Sequence, residues 1–203
     1  MSYVPDLNRL LAELKEEAPA GYAVGLHIRF AAPLITAHTY TEEWLEVYTA
    51  NAFGLRDPMI AWGLGTTGVT RWSTMNIPDP FGIMDLAKEY GLKFGGGVSC
   101  GPVRSRTIVG VARADREFTD TELARIEEIV LKMHELAEPP TELTKAQVEA
   151  LRCIAGGDRH AAAAAKLGIS ESALKARLVS ARDRLLARTI PEAIQRAKDY
   201  RLL

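Results

Sequence analysis

The side chains best equipped for chemistry in this 203-residue sequence stand close together: Trp44 and Tyr48, then Asp57 followed by Pro58, then Trp72. Trp44 and Tyr48 are four apart, so on a helix their indole N–H and phenol O–H share a face. With the carboxylate of Asp57 they offer two hydrogen-bond donors and one acceptor. Taken singly, each has a plain structural use. Aromatics at helical spacing pack cores, with their polar tips satisfied locally, and Asp before Pro suits the start of a helix. No catalytic constellation joins them: the sequence offers no Ser/His/Asp or Cys/His set and no G-x-x-x-x-G-K phosphate loop, so an enzyme is not expected.

Cys100 and Cys153 lie far apart and in no C-x-x-C pattern, and His27, His38, His134 and His160 are scattered. Neither a disulfide framework nor a metal site is expected, and no cofactor.

The elements that must position the aromatic and acidic residues follow from patterning. Leu7, Leu10, Leu11 and Leu14 predict an amphipathic helix over 5–17. Residues 21–30 and 33–40 read as two strands joined by a short turn around Ala31–Pro33. Thr41 as N-cap, Glu42 and Glu43 in the first turn and Gly54 as a stop predict a helix over 42–53, and Asp57-Pro58 open another. A Gly/Thr-rich passage over 63–70 leads to Arg71 and Trp72. A helix is expected within 79–91, a closing hairpin from 95–103 and 106–114, and a long helix over 119–137 with Leu123, Ile126, Ile129, Val130 and Met133 on one stripe. Paired prolines in "EPPTE", 138–142, mark a linker.

The remainder, 143–203, reads as helices punctuated by Gly156-Gly157, Gly168 and Pro191. The fold class is therefore α+β: an N-terminal α/β/α sandwich on an antiparallel sheet over 1–137, a linker at 138–142, and a small all-α four-helix domain over 143–203. With 47% hydrophobic and 25% charged residues the chain can bury a core. No apolar run approaches the ~20 residues of a membrane span, so a cytoplasmic protein without membrane contact is expected. The net charge of −1 is split. Residues 143–203 hold 12 Lys and Arg against 6 Asp and Glu, a net of +6, leaving 13 basic and 20 acidic residues, −7, in 1–142. The C-terminal segment is the one suited to a polyanion.

Within that segment a small-residue helix ends at Gly168 and Ser170 caps a basic one, the outline of a helix-turn-helix. Leu143-Thr144, Glu149, Leu151, Gly157, Leu167 to Ser170, Lys175, Leu178, Leu185 and Leu202-Leu203 resemble the LuxR-type DNA-binding domain in register. The chain departs from that pattern at Gln147, Ala162-Ala163 and Val179. The resemblance implies double-stranded promoter DNA as a partner, with Ser170, Ser172, Lys175, Arg177 and Arg182 as the DNA-binding candidates.

The gaps between Trp44, Tyr48, Asp57-Pro58 and Trp72-Ser73, with Gly95 beyond, resemble the autoinducer-binding domain of LuxR-type quorum-sensing regulators over about residues 3–137. That resemblance implies an N-acyl-homoserine lactone as ligand and a likeness to regulators that dimerise. Such a ligand has an amide N–H, an amide carbonyl and a ring carbonyl at one end, and so needs one acceptor and two donors. Asp57 would accept from the amide N–H, Trp44 would donate to the ring carbonyl and Tyr48 to the acyl carbonyl, with Trp72 as apolar wall. Tyr40 and Gly110 complete the ligand-binding candidates. Gly110, with Gly95, Gly96 and Gly97, implies extra room and weak recognition of a 3-oxo group, although glycines in a strand can also mark a bulge.

The function expected is a ligand-responsive transcriptional regulator acting as a homodimer, with the stripe on 119–137 in the contact. The alternatives are an antiactivator that heterodimerises with a full-strength LuxR-type regulator, and a ligand-independent regulator.

Overall fold

In the computed structural model, which describes residues 5–28, 32–138, 142–200 and 202–203, the chain forms two compact units, one over Val4–Glu138 and one carrying Pro139–Leu203. The turn expected around Ala31–Pro33 lies partly outside the described residues, and so does most of the 138–142 linker.

The first unit begins with α1 (Pro5–Glu17), whose Leu7, Leu10 and Leu14 are buried. β1 (Gly21–Ile28) and the short β2 (Ile35–His38) follow as an antiparallel pair. α2 is Glu42–Ala50, capped by the Thr41 hydroxyl. It ends earlier than Gly54, because Asn51 closes it with its backbone N–H and its side-chain amide on the Val47 carbonyl. Gly54 sits instead inside a 3-10 turn, Phe53–Leu55. α3 (Pro58–Gly65) starts at Pro58 with Asp57 as its cap.

Gly68–Arg71 form β3, a strand that the Gly/Thr-rich sequence did not announce. Its apolar content is a single Val69, and pairing with its neighbour supplies what side-chain pattern does not. α4 (Ile83–Glu89), β4 (Phe94–Cys100), β5 (Arg106–Arg113) and α5 (Asp120–Leu136) complete the unit. The strands make one antiparallel sheet in the order β2-β1-β5-β4-β3.

Strand periodicity sends alternate residues to opposite faces. Val109 and Val111 of β5 and Val98 of β4 are buried on the face covered by α1 and α5. Leu123, Ile126, Ile129, Val130 and Met133 of α5 are all buried in this unit. The stripe expected to be exposed for dimer contact is therefore core, because the sheet needed an apolar cover. The capping box of Thr119 and Glu122 fixes the start of α5.

Two of the scattered histidines prove to be partners. His27 adopts φ 50 at a bulge in β1, and its ring nitrogens lie 2.9 Å from the Ser105 hydroxyl and 2.8 Å from the His134 carbonyl, near the end of α5. The two imidazoles stack with centroids 4.2 Å apart, and Thr107 Oγ1 lies 2.8 Å from His134 Nδ1.

The second unit holds α6 (Lys145–Ala155), α7 (His160–Leu167), α8 (Glu171–Arg184) and α9 (Ile190–Asp199). Ala150, Leu151, Ala163, Ala164, Leu174, Leu178 and Leu185 form its core. Gln147 replaces an acid without loss of the cap: it closes a capping box with Thr144 and donates to the Ser180 hydroxyl at 3.0 Å. Gly168 turns the chain between α7 and α8 at φ 64; open space surrounds it, so the backbone conformation, not crowding, calls for glycine.

Candidate functional site

The sheet face opposite α5 is built from small residues. Ala23 and Gly25 of β1, Gly95 and Gly97 of β4 and Gly110 of β5 leave it nearly bare. Helices α2, α3 and α4 cover it across a cavity of about 900 Å³. Tyr40, Trp44, Tyr48, Asp57, Trp72 and Gly110 all line this one cavity, brought there from four different segments.

Asp57 combines two roles that sequence reasoning set against each other. Its Oδ1 accepts the Met59 backbone N–H at 2.7 Å, which caps α3, while Oδ2 accepts the Tyr48 hydroxyl at 2.7 Å. Burial pushes the Asp57 carboxyl above its ordinary value; the Tyr48 hydroxyl and the backbone N–H groups of Met59 and Ile60 pull it back, and the Asp79 carboxylate adds to the rise. Tyr48 is thus already committed to Asp57 and is not a spare donor.

Tyr40 is the phenol left over. No hydrogen bond engages its hydroxyl among the described residues, and it points toward Gly110, about 3.5 Å from where a Cβ on that residue would stand. Burial first, then the Asp57 carboxylate, push the Tyr40 hydroxyl far up, so it remains a neutral donor. Burial followed by Asp57 does the same to Tyr48.

Trp44 is 4% exposed and meets Tyr48 edge-on at 5.6 Å, with Tyr90 at 5.5 Å. Trp72 occupies the space that Gly95 leaves, and its indole N–H is buried with no hydrogen-bond partner among the described residues. The three consecutive glycines do not simply enlarge the cavity. A Cβ on Gly95 would strike Trp72, one on Gly97 would strike Met59, and Gly96 faces the other way, toward Leu123. Gly110 lies in regular pairing with Ala23 and Gly97, so it marks no bulge; the register shift is in β1.

Sequence reasoning missed most of the apolar lining: Met59, Ile60, Met84, Ile83 and Ile108. The signal available was α3 itself, "PMIAWGLG", which is apolar nearly all round and so must bury more than one face.

In the second unit Ser170 caps α8 by accepting the Ala173 N–H at 3.2 Å, and its hydroxyl lies 2.9 Å from that of Ser172. Ser172, Lys175 and Val179 share the exposed side of α8, Val179 being 43% exposed. Arg177, two residues from Lys175, falls on a different, half-buried side. Arg182 is held by Asp183 at 2.6 Å. The five candidates are thus not gathered on one face.

Among the described residues no group of His, Cys, Asp and Glu could hold a metal ion, and no helix is long and apolar enough to cross a membrane.

A family model for the autoinducer binding domain matches residues 19–137. The chain is similar to the HTH-type quorum-sensing regulator RhlR of Pseudomonas aeruginosa, 28% identical over an alignment 171 residues long that covers 74% of this chain and 70% of that protein. In fold it is similar to Escherichia coli SdiA, with a TM-score of 0.54 at 20% identity over 97% of this chain and 91% of that one. It is similar also to CepR2 of Burkholderia cenocepacia, an N-acylhomoserine-lactone-dependent LuxR family transcription factor, with a TM-score of 0.51 at 14% identity over 64% of this chain and 79% of that one.

Proposed function

Since the chain belongs to the autoinducer-binding family of LuxR-type quorum-sensing regulators, we propose that it is a transcriptional regulator that binds an N-acyl-homoserine lactone in the cavity of its first unit and promoter DNA through its second. The observation that carries the ligand half is the cluster of polar tips at one end of a mostly apolar hollow: the Asp57 carboxylate, the Tyr40 phenol and the Trp44 indole, the last two making no hydrogen bond through O–H or N–H among the described residues.

Asp57 accepts the ligand amide N–H on the oxygen it shares with Tyr48, and Trp44 donates to the lactone carbonyl. Tyr40, not Tyr48, is the donor to the acyl carbonyl, because Tyr48 serves by orienting Asp57. Trp72 closes the wall. An unpaired buried donor or acceptor costs on the order of 1–3 kcal/mol, so a head group that pairs these tips stabilises the fold it enters.

The test is a thermal-shift series with acyl-homoserine lactones on the purified chain: a concentration-dependent rise in Tm supports the reading, and no rise with any lactone ends it.

For DNA, Ser172 and Lys175 on α8 make the base and phosphate contacts, with Ser170 positioning the helix and Arg177 and Arg182 at its flanks. A homodimer reading an inverted repeat is part of the proposal. Its contact lies outside the buried α5 stripe, and sedimentation of the ligand-loaded chain tests it. One observation favours a second reading. The exposed side of α8 presents Val179 where a polar contact would serve DNA better, and Arg182 is spent on Asp183. An antiactivator that pairs with a full-strength regulator fits that surface. Lactone binding without preference for any promoter fragment over random DNA at physiological salt would select it.

A further inference from the structure

The cavity has two ends of different chemistry. One is aromatic and polar, where Tyr40, Tyr48 and Trp72 pack against the buried cluster of Trp44, Phe53, Ile83 and Leu92. The other is aliphatic, where Ile28, Ile60 and Met84 pack around Met59, Trp62 and Ile108. Trp72 touches both clusters and stands at the junction.

The cavity floor follows β1 from Ala23, opposite Gly110 and therefore level with Tyr40, to Ile28, opposite Arg106. At roughly 3.3 Å per residue that run spans about 16 Å, slightly less across the bulge. An extended alkyl chain advances per bond about as far as extended backbone, with its three bonds per residue, so this floor matches roughly a dozen carbons. Beyond it the lining continues to Leu64 and Val103, which are 44% and 73% exposed. Large apolar side chains left in water where an apolar hollow opens are what the end of a tail would cover.

Resting on the lactone reading, we propose that the ligand carries a long alkyl tail of about ten to twelve carbons, whose end is held by Ile28, Ile60, Leu64 and Val103, and that Leu64 and Val103 set the length preference. The head group is gripped by polar tips that see the same atoms in every acyl-homoserine lactone; discrimination of length is left to this far end.

Calorimetric titration of the purified chain with butanoyl-, hexanoyl-, octanoyl-, decanoyl- and dodecanoyl-homoserine lactone tests it. Burial of each methylene adds at most about fourfold in affinity; at half of that free energy, about twofold for each of the six extra methylenes, the dodecanoyl ligand should bind about sixtyfold tighter than the hexanoyl one. In Leu64→Ser/Val103→Ser, where both side chains are exposed and the fold does not depend on them, that ratio should drop about tenfold. An affinity optimum at butanoyl or hexanoyl overturns the inference, as does a double variant that weakens every lactone by one common factor. Both outcomes leave the ligand reading intact. Failure of all five lactones to bind removes that reading, and the tail assignment with it.

Discussion

The two faces of one sheet have opposite fates in this molecule. Toward α1 and α5 the chain fills the space itself: Leu14, Ile126, Val130, Met133, Val109 and Val111 are each fully buried. Toward α2, α3 and α4 it leaves a hollow of about 900 Å³ floored by alanine and glycine. The difference lies in alternate residues of the same strands, such as Val109 and Val111 against Gly110, so one face can be tuned for stability while its neighbour is emptied for binding. Polar groups follow the same division. The salt bridges of Arg113 with Asp115 and Glu122 join the sheet to the start of α5 at the filled face, whereas at the cavity the Asp57 carboxylate is held by the Tyr48 hydroxyl and the Met59 backbone N–H and no ion pair engages it among the described residues.

The largest expected effect lies on the filled face. Met133→Ala should cost about 2–5 kcal/mol of unfolding free energy, because it opens a void in a closed core. Ile60→Ala, at a cavity that already exists, should cost only about 1 kcal/mol. Urea denaturation of the two variants checks the contrast, and equal losses would show that the hollow is closed and packed in solution.

Next come the adjacent glycines of β4. Gly95→Ala drives a methyl into Trp72 and Gly96→Ala drives one toward Leu123 and the Thr70 carbonyl on the other side. Each should cost about 1–3 kcal/mol by overpacking. Only Gly95→Ala should also impair lactone binding, since only Trp72 lines the cavity. Ligand titration of both variants separates the faces residue by residue, and equal affinities would break the comparison.

Asp57→Asn is expected to reduce lactone affinity tenfold or more, about 1.4 kcal/mol or above, while the fold is almost unchanged. Asn caps a helix about as well as Asp, so the Met59 bond survives. What is lost is an acceptor facing both Tyr48 and the ligand N–H. Wild-type affinity in the folded variant would return Asp57 to a capping role alone.

The filled face was the more legible one. Leu7, Leu10 and Leu14, and the stripe from Leu123 to Met133, carry a helical period because they pack against one continuous surface. Their partner was not legible: the same stripe serves a dimer or a sheet equally well, and only tertiary structure decides. At the cavity, Trp44, Tyr48, Asp57 and Trp72 stood out through their joint spacing. The division of labour between Tyr40 and Tyr48 did not, because it depends on which phenol reaches Oδ2 of Asp57, a contact between α2 and the cap of α3. The strand at Gly68–Arg71 escaped because two glycines, Gly96 and Gly97, are among its paired partners and its own sequence has no alternation.

The smallest effect concerns pH, where the two faces should titrate with opposite sign. Glu122 is held below the ordinary carboxylate range by hydrogen bonds from Arg116, Thr119 and Arg113, so its contribution to stability is present above the usual Glu value and is lost as pH falls through the lowered one. Asp57 is raised by burial, so the folded state takes up its proton more readily than the unfolded chain does. Its charged form weakens the ligand-free fold as pH rises through the ordinary Asp value, and acidification relieves that penalty. The effect is modest because Tyr48, Met59 and Ile60 already offset much of the burial. Asp57→Asn should therefore show a slightly steeper loss of Tm between neutral and mildly acidic pH than the unmodified chain. Binding should run the other way: the ionised carboxylate is the better acceptor for the amide N–H, so lactone affinity should fall on acidification in the unmodified chain and stay flat in Asp57→Asn. Parallel affinity curves for the two proteins would show that Asp57 does not meet the ligand in its charged form.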